Sequence, residues 1–562
     1  MNRIAFLPSQ QPYDWLTSDL VTLIARPAES AEAARHKLAQ LLARPELSGD
    51  TLLNDLPRLL DLHRVSAMHD VALASMLSIH FNLCMGTIKS QGSDSAYVGH
   101  LYAQLNEGKA IGVFLATELG YGNNLFSLES EAHYSPDTQT FVLTSPTTRS
   151  FKFMPNTTAG GLGKIAVVMA RLLCNGCNHG VFPFLLPLHD HEGIRPGVRI
   201  SPLGEKPGYH LDNAITSFHN VVLPFDALLQ KGIARFTRAG DFDSLGRSRS
   251  QRFLLSMDRV QAGKMCMAAF SLAGTEAALR INLRYSQDRR SFGVRGSQRL
   301  LDYPTYRNPL ICDIASTHVH NAWLDHFVAH FGDDAMAVMR REQLNELAML
   351  KASSTWNNQR VLVRIRERCG AQGLFSVNRI IGYFQANNGA ITAEGDNLVI
   401  MLKAARFFFG IGHSQQVSTS LPGSIESLLA PLNRCICALH DSHKQAADSP
   451  SHAEHLLLSA SLLGIRLAAL RFTEQRFDRV QLAMLELYLL DQLEHHCATL
   501  VGTGAATPAQ AQGWLSHRRA LLDEYGERIL EMAQRSIPDR LMPQTPISSG
   551  DYIDHFARQH LR

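Results

Sequence analysis

A lone carboxylate, Glu394, stands in Thr392-Ala393-Glu394-Gly395-Asp396-Asn397, directly before the largely apolar run Leu398 to Phe409. A carboxylate set beside that much apolar surface is expected to have a raised pKa, which poises it to take a proton near neutral pH. Asp396 or Asn397 would cap the helix that the apolar run begins. A second group with usable chemistry is Arg289-Arg290-Ser291-Phe292-Gly293. Guanidinium groups offer forked donors that match a pyrophosphate, and the nearby glycine lets an anion approach closely.

Other spacings invite chemistry and then fail its requirements. Gly120-Tyr121-Gly122 begins like a dinucleotide loop, but Leu125 occupies the place of the third glycine. Gly160-Gly161-Leu162-Gly163-Lys164 is not a P-loop, because Thr158 replaces the first glycine and Ile165 the required Ser or Thr. Cys174-Asn175-Gly176-Cys177, with His179 nearby, is a single Cys-x-x-Cys without a second pair, which is weak ground for a metal. Cys435-Ile436-Cys437 reads as a helix face and His189-Asp190-His191 as an exposed loop. No metal site is expected.

These groups must be positioned by a chain of 562 residues, long enough for two to four domains. Residues 16–108 read as helical, with apolar residues at three- and four-residue spacing over 31–42 and 65–88. From 110 to about 230 the chain becomes short runs of β-formers separated by Gly, Pro, Asn and Asp, as at 111–115, 133–134, 141–144, 181–188 and 215–223. Helical periodicity returns over 254–285, 316–331, 345–369 and 397–409. Gly410-Ile411-Gly412 is expected to stop the last of these, and the polar stretch 413–420 with Pro422 marks a boundary. Residues 424–562 are again helical. The domains expected are 1–109, 110–230, 240–412 and 415–562.

Composition narrows the function. Hydrophobic residues make up 45% and charged residues 19%, as in a globular protein with a large interior. A net charge of +3 over this length argues against nucleic acid as the main partner. Nine cysteines form no repeating framework, which fits a reducing compartment. Pro8 and Pro12 interrupt the amino terminus, so no signal peptide is expected there, and no stretch approaches the ~20 apolar residues of a membrane span. The chain ends in His560-Leu561-Arg562, not in a peroxisomal address, and a cytoplasmic location is therefore expected.

Taken in order, Thr117-Glu118-Leu119-Gly120-Tyr121-Gly122-Asn123-Asn124, the Gly160–Lys164 segment, the Arg289–Gly293 segment, Cys369-Gly370-Ala371-Gln372-Gly373 and the Glu394 segment resemble the acyl-CoA oxidases, within the acyl-CoA dehydrogenase superfamily of flavoproteins. The resemblance implies a mainly α fold with a central β-domain: an N-terminal helical domain, a small β-barrel domain, a helical bundle and an extra C-terminal helical domain. It implies FAD as cofactor, with Thr117, Gly160, Arg289, Phe292, Gly370, Gly373 and Asp396 binding it, and Glu394 as the catalytic base. Arg289 would reach the diphosphate held by a neighbouring subunit, and Gly370 and Gly373 its adenosine half, so a homodimer is implied. The activity implied is α,β-desaturation of an acyl thioester with O₂ as acceptor and H₂O₂ as product. A dehydrogenase using another acceptor and a non-catalytic subunit of this fold are the alternatives.

Several residues depart from the family pattern. Phe153 and Met154 stand where two tryptophans follow the lysine that matches Lys152. Residues 156–159 are inserted, so the flavin-contacting glycine maps to Asn156 or Gly160. Ala393 replaces an aromatic before the base, Pro304 a glutamine, and Ala371 the second glycine of Cys-Gly-Gly.

Overall fold

The computed structural model describes residues 13–206, 209–293, 296–331, 339–410, 421–445 and 452–560. They fall into two compact units, residues 15–266 and residues 267–560 with 13–14. The fold is mostly helical with a central sheet domain, as expected.

The first unit opens with helices that begin at side-chain caps. The Thr17 hydroxyl accepts from Leu20 N–H and the Ser30 hydroxyl from Ala33 N–H. The helical stretch expected over 65–88 is two helices, Leu56–His69 and a second that runs from Val71–Leu77 through the π-helical Ser78–Met85 into Gly86–Gln91. Asp70 makes the break. Its extended backbone ends one helix while its carboxylate accepts from the Ala72 and Leu73 N–H groups and starts the next. The π turn carries His80, whose Nδ1 accepts from Gly112 N–H at 2.8 Å. Gly112 lies within the expected first strand, Ala110–Leu115, and a side chain there would meet Cys84 Cβ at 2.9 Å.

The β region is a seven-stranded sheet and a separate three-stranded one. The first is ordered Val221–Pro224, Thr140–Thr144, Glu131–Ser135, Gly163–Cys174, Cys177–Asp190, Gly193–Ile194, with Ala110–Leu115 pairing parallel to Gly163–Cys174. The strand Gly163–Cys174 was not expected. Its apolar run is buried on both faces, so it lacks the alternation that marks a half-exposed strand. Cys174 and Cys177 are paired across a two-residue hairpin in which Asn175 and Gly176 both have positive φ, as a type I′ turn requires.

The second unit is helical. The expected helix 254–285 is two, Arg249–Ser256 and Asp258–Asp288, and the unit boundary falls within the latter. Pro304–Phe331 starts twelve residues before the position expected, because Pro304 suits a helix's first turn. Arg341–Arg368 and Asn397–Gly410 match expectation closely. Ile380–Thr392 was missed: Gly382, Asn387, Asn388 and Gly389 lower its intrinsic propensity. Gly423–Gln445, His452–Thr473, Arg479–His495 and Pro508–Arg535 complete the helical tail. The stop at 411–412 and the polar boundary at 413–420 lie outside the described residues.

One exclusion needs correcting. Val71–Gln91 and His452–Thr473 are long and apolar enough to cross a membrane by length and composition. Within the structure, 83% and 61% of their apolar windows are buried, which fits interior helices.

Candidate active site

The turn that carries Glu394 joins two helices of the second unit. Ile380–Thr392 ends at Ala393, Glu394 then takes a left-handed backbone at φ 58°, and Gly395 follows at φ 99°. A non-glycine residue in that region costs about 1–2 kcal/mol, so its surroundings must hold it there. Asp396 is the helix cap: its Oδ1 accepts from Leu398 N–H at 3.0 Å and from Val399 N–H at 3.4 Å. Glu394 is half-buried. The apolar run beside it is not wholly interior as expected, since Leu398 is 51% and Val399 44% exposed in this chain. Helical geometry turns these two side chains outward while Ile400, Met401, Ala404 and Ala405 face the core.

A buried polar network lies under this turn, and sequence reasoning missed it. Lys351, on Arg341–Arg368, is fully buried. Its Nζ donates to the carbonyls of Ile391 at 3.0 Å and Gly395 at 2.9 Å, and to Asn397 Oδ1 at 2.9 Å. Asn397, the alternative cap, is turned inward and donates to Thr355 Oγ1 at 2.9 Å. Asn387 donates to the Thr355 carbonyl at 2.8 Å and accepts from Ser271 Oγ at 2.9 Å. A lysine on the apolar side of a helix was the one signal that pointed to it.

The other expected residues of this unit cluster at chain reversals. Arg289 is exposed just past Asp258–Asp288, where its carbonyl accepts from Leu300 N–H at 2.8 Å. It leads into the hairpin Arg290–Gly293 with Gly296–Arg299, which presents Phe292 at 87% exposure. Gly370 has φ 57° immediately after Arg341–Arg368. Gly373 is packed so closely that a Cβ would stand 2.6 Å from the Arg366 carbonyl oxygen. Leu374, Phe375 and Val377 follow it, all exposed.

The remaining expected residues belong to the first unit. Thr117 is half-buried, and its carbonyl accepts from Phe153 N–H at 2.9 Å. Its neighbour Glu118 is buried against Lys152 at 2.9 Å and accepts from the Glu129 and Ser130 N–H groups, which pins the segment. Gly160 and Gly161 are exposed with φ of 119° and 73°, so their backbone is open to a ligand. The inserted Asn156 is buried, and neither polar atom of its side chain has a hydrogen-bond partner. Beside it Lys164 and Asp212 form a buried ion pair, joined by Arg35 at 3.6 Å from Asp212. Burial pushes the Lys164 amine down to about 8 and raises the Asp212 carboxyl, whereas each draws the other toward its charged form. Within this unit, the open backbone of Gly160 and Gly161 and the unpaired amide of Asn156 offer polar groups of the kind a flavin dinucleotide uses. Among the described residues, no group of three or more His, Cys, Asp or Glu could hold a metal.

Residues 259–409, which include the Glu394 turn, Arg289, Gly370 and Gly373, match the family model for the acyl-CoA oxidase C-alpha1 domain. Over this stretch the chain is similar to the acyl-CoA oxidases. It is 28% identical over 370 residues to human peroxisomal acyl-coenzyme A oxidase 3, a match covering 61% of this chain and 51% of that protein. The chain thus spans about half the length of the curated relatives it matches. Its fold is similar to Yarrowia lipolytica acyl-CoA oxidase 3, at a TM-score of 0.80 and 20% identity over 99% of this chain and 92% of that one. It is similar also to Caenorhabditis elegans acyl-CoA oxidase-2 bound with FAD, ascaroside-CoA and ATP, at a TM-score of 0.77 and 20% identity over 98% and 87%. The curated relatives are named as peroxisomal proteins, and this overturns the expectation of a cytoplasmic location. A carboxyl-terminal tripeptide was too small a basis for it.

Proposed function

We propose that the protein oxidises an acyl-CoA to the trans-2-enoyl thioester, with O₂ taking up the two electrons and two protons as H₂O₂. The observation that carries this reading is Glu394 in a left-handed turn between two helices of the matched domain. In that reading Glu394 takes the α-proton from the thioester. Its own backbone N–H donates to the thioester oxygen, where enolate charge develops, and so lowers the barrier to proton removal. FAD, when bound, supplies the acceptor for the β-hydride, which no side chain can do. Thr117 and Gly160 would hold the flavin end, while Arg289, Phe292, Gly370 and Gly373 would meet the dinucleotide of a partner subunit in a homodimer. Asp396 supports the site as the helix cap that fixes the end of the turn.

A non-catalytic subunit of this fold is the second reading. It is favoured by Met154, which is 43% exposed with φ 64° where the family carries tryptophan. A visible spectrum of the purified protein, before and after incubation with FAD, separates the two. Flavin bands that bleach when acyl-CoA is added without oxygen support the enzyme. Absence of flavin bands after incubation supports the non-catalytic subunit.

A further inference from the structure

We propose that Lys351 is a positioning residue for the catalytic base, holding the Glu394 turn in its reactive shape from beneath. This rests on the reading of Glu394 as the base. Lys351 Nζ bonds the carbonyl of Ile391, three residues before Glu394, at 3.0 Å and the carbonyl of Gly395, one residue after it, at 2.9 Å. It thereby clamps the backbone on both sides of a residue whose φ is 58°. The third contact, Asn397 Oδ1 at 2.9 Å, ties the clamp to the first turn of Asn397–Gly410. A protonated amine has three N–H bonds and no lone pair, so it can donate to all three of these oxygens. Two of those oxygens are main-chain carbonyls, which no acidic side chain at this place would replace.

The cost of the arrangement argues that it serves more than packing. A fully buried lysine is among the rarest of interior residues, and burying its charge is expensive. A leucine or methionine would fill the volume at less cost. What the amine adds is direction. It fixes the peptide planes around Glu394, and with them both the carboxylate and the N–H that would meet the thioester oxygen. The surrounding hydroxyl and amide groups extend the same restraint. Thr355 Oγ1 donates to the Lys351 carbonyl at 3.0 Å, and Asn358 ties the Ser271 carbonyl and Thr275 Oγ1, each at 2.7 Å. The turn is thereby fastened to the neighbouring helix Asp258–Asp288.

The test is a double-mutant cycle on the FAD-loaded full chain, read by rapid anaerobic flavin reduction with acyl-CoA. Lys351→Met keeps an unbranched side chain one atom shorter and removes all three donors. It should slow reduction by on the order of 10²-fold, the effect of a misplaced reacting group, with KM changed less than about threefold. Adding Lys351→Met to Glu394→Gln should cost less than about threefold more, because the two act through one group. Lys351→Arg, which retains N–H donors, should recover part of the rate. Three results would overturn the proposal: full additivity in the cycle, a near-normal rate for Lys351→Met, or loss of folding and FAD in step with activity in both lysine variants. Near-normal reduction by Glu394→Gln alone would instead sink the base assignment.

Discussion

Proton abstraction from a thioester asks much of one carboxylate, so Glu394 should show it on replacement. Glu394→Gln keeps shape and removes the acceptor. It should leave FAD binding intact while flavin reduction by acyl-CoA falls by about 10³-fold or more, measured by stopped-flow absorbance. A second expectation attaches to Ala393, which is exposed and stands where the family carries an aromatic. Where a ring is absent and its space stays open to substrate, a bulky or branched acyl group fits. Ala393→Tyr should therefore depress kcat/KM for bulky thioesters about tenfold more than for short straight ones; equal losses would defeat the enlarged site. The turn that holds Glu394 is legible in sequence because its neighbours in the chain are its neighbours in space. Lys351 is not, since its partner Gly395 lies 44 positions later and only the packing of two helices brings them together. The sequence offers Asp396 and Asn397 as alternative caps, and burial decides between them: Asn397 is drawn inward by Lys351 and Thr355.

Among the elements, the broken helix over 56–91 carries a measurable consequence. His80 sits in its π turn, and burial lowers the imidazole to about 3 from 6.5. The neutral ring accepts from Gly112 N–H, so protonation would cost that bond as well. Between about pH 3 and 6.5 the folded ring holds fewer protons than the unfolded one. Its contribution is therefore whole above 6.5 and is lost as pH falls through that window. It should be on the order of 2 kcal/mol between pH 7 and 5. His80→Asn keeps an acceptor and cannot titrate, so its denaturation midpoint should fall less than the parent's over that range; parallel falls would count against the assignment. The same elements mark what periodicity can show. Helices with one apolar face were found to within a few residues, as at Arg341–Arg368 and Asn397–Gly410. Gly163–Cys174 and Ile380–Thr392 were not, one because both its faces are buried and the other because glycine and asparagine mask a helix that packing enforces.

Over 61% of its length the chain matches an oxidase about twice as long as the matched stretch, yet its fold covers 92% of a solved oxidase structure it resembles. The mainly helical fold with a central sheet was readable because ordered motifs spread across the chain. Location was not, because no packing or chemistry of the folded chain encodes it. The claim that the intact molecule is an oxidase turns on where its electrons go. FAD-loaded protein should be reduced by acyl-CoA without oxygen, then mixed rapidly with air-saturated buffer while flavin absorbance and peroxide are followed together. Reoxidation within seconds and one H₂O₂ per flavin are expected of an oxidase. Slow reoxidation by oxygen, with fast electron transfer to an electron-transfer flavoprotein, would contradict that claim.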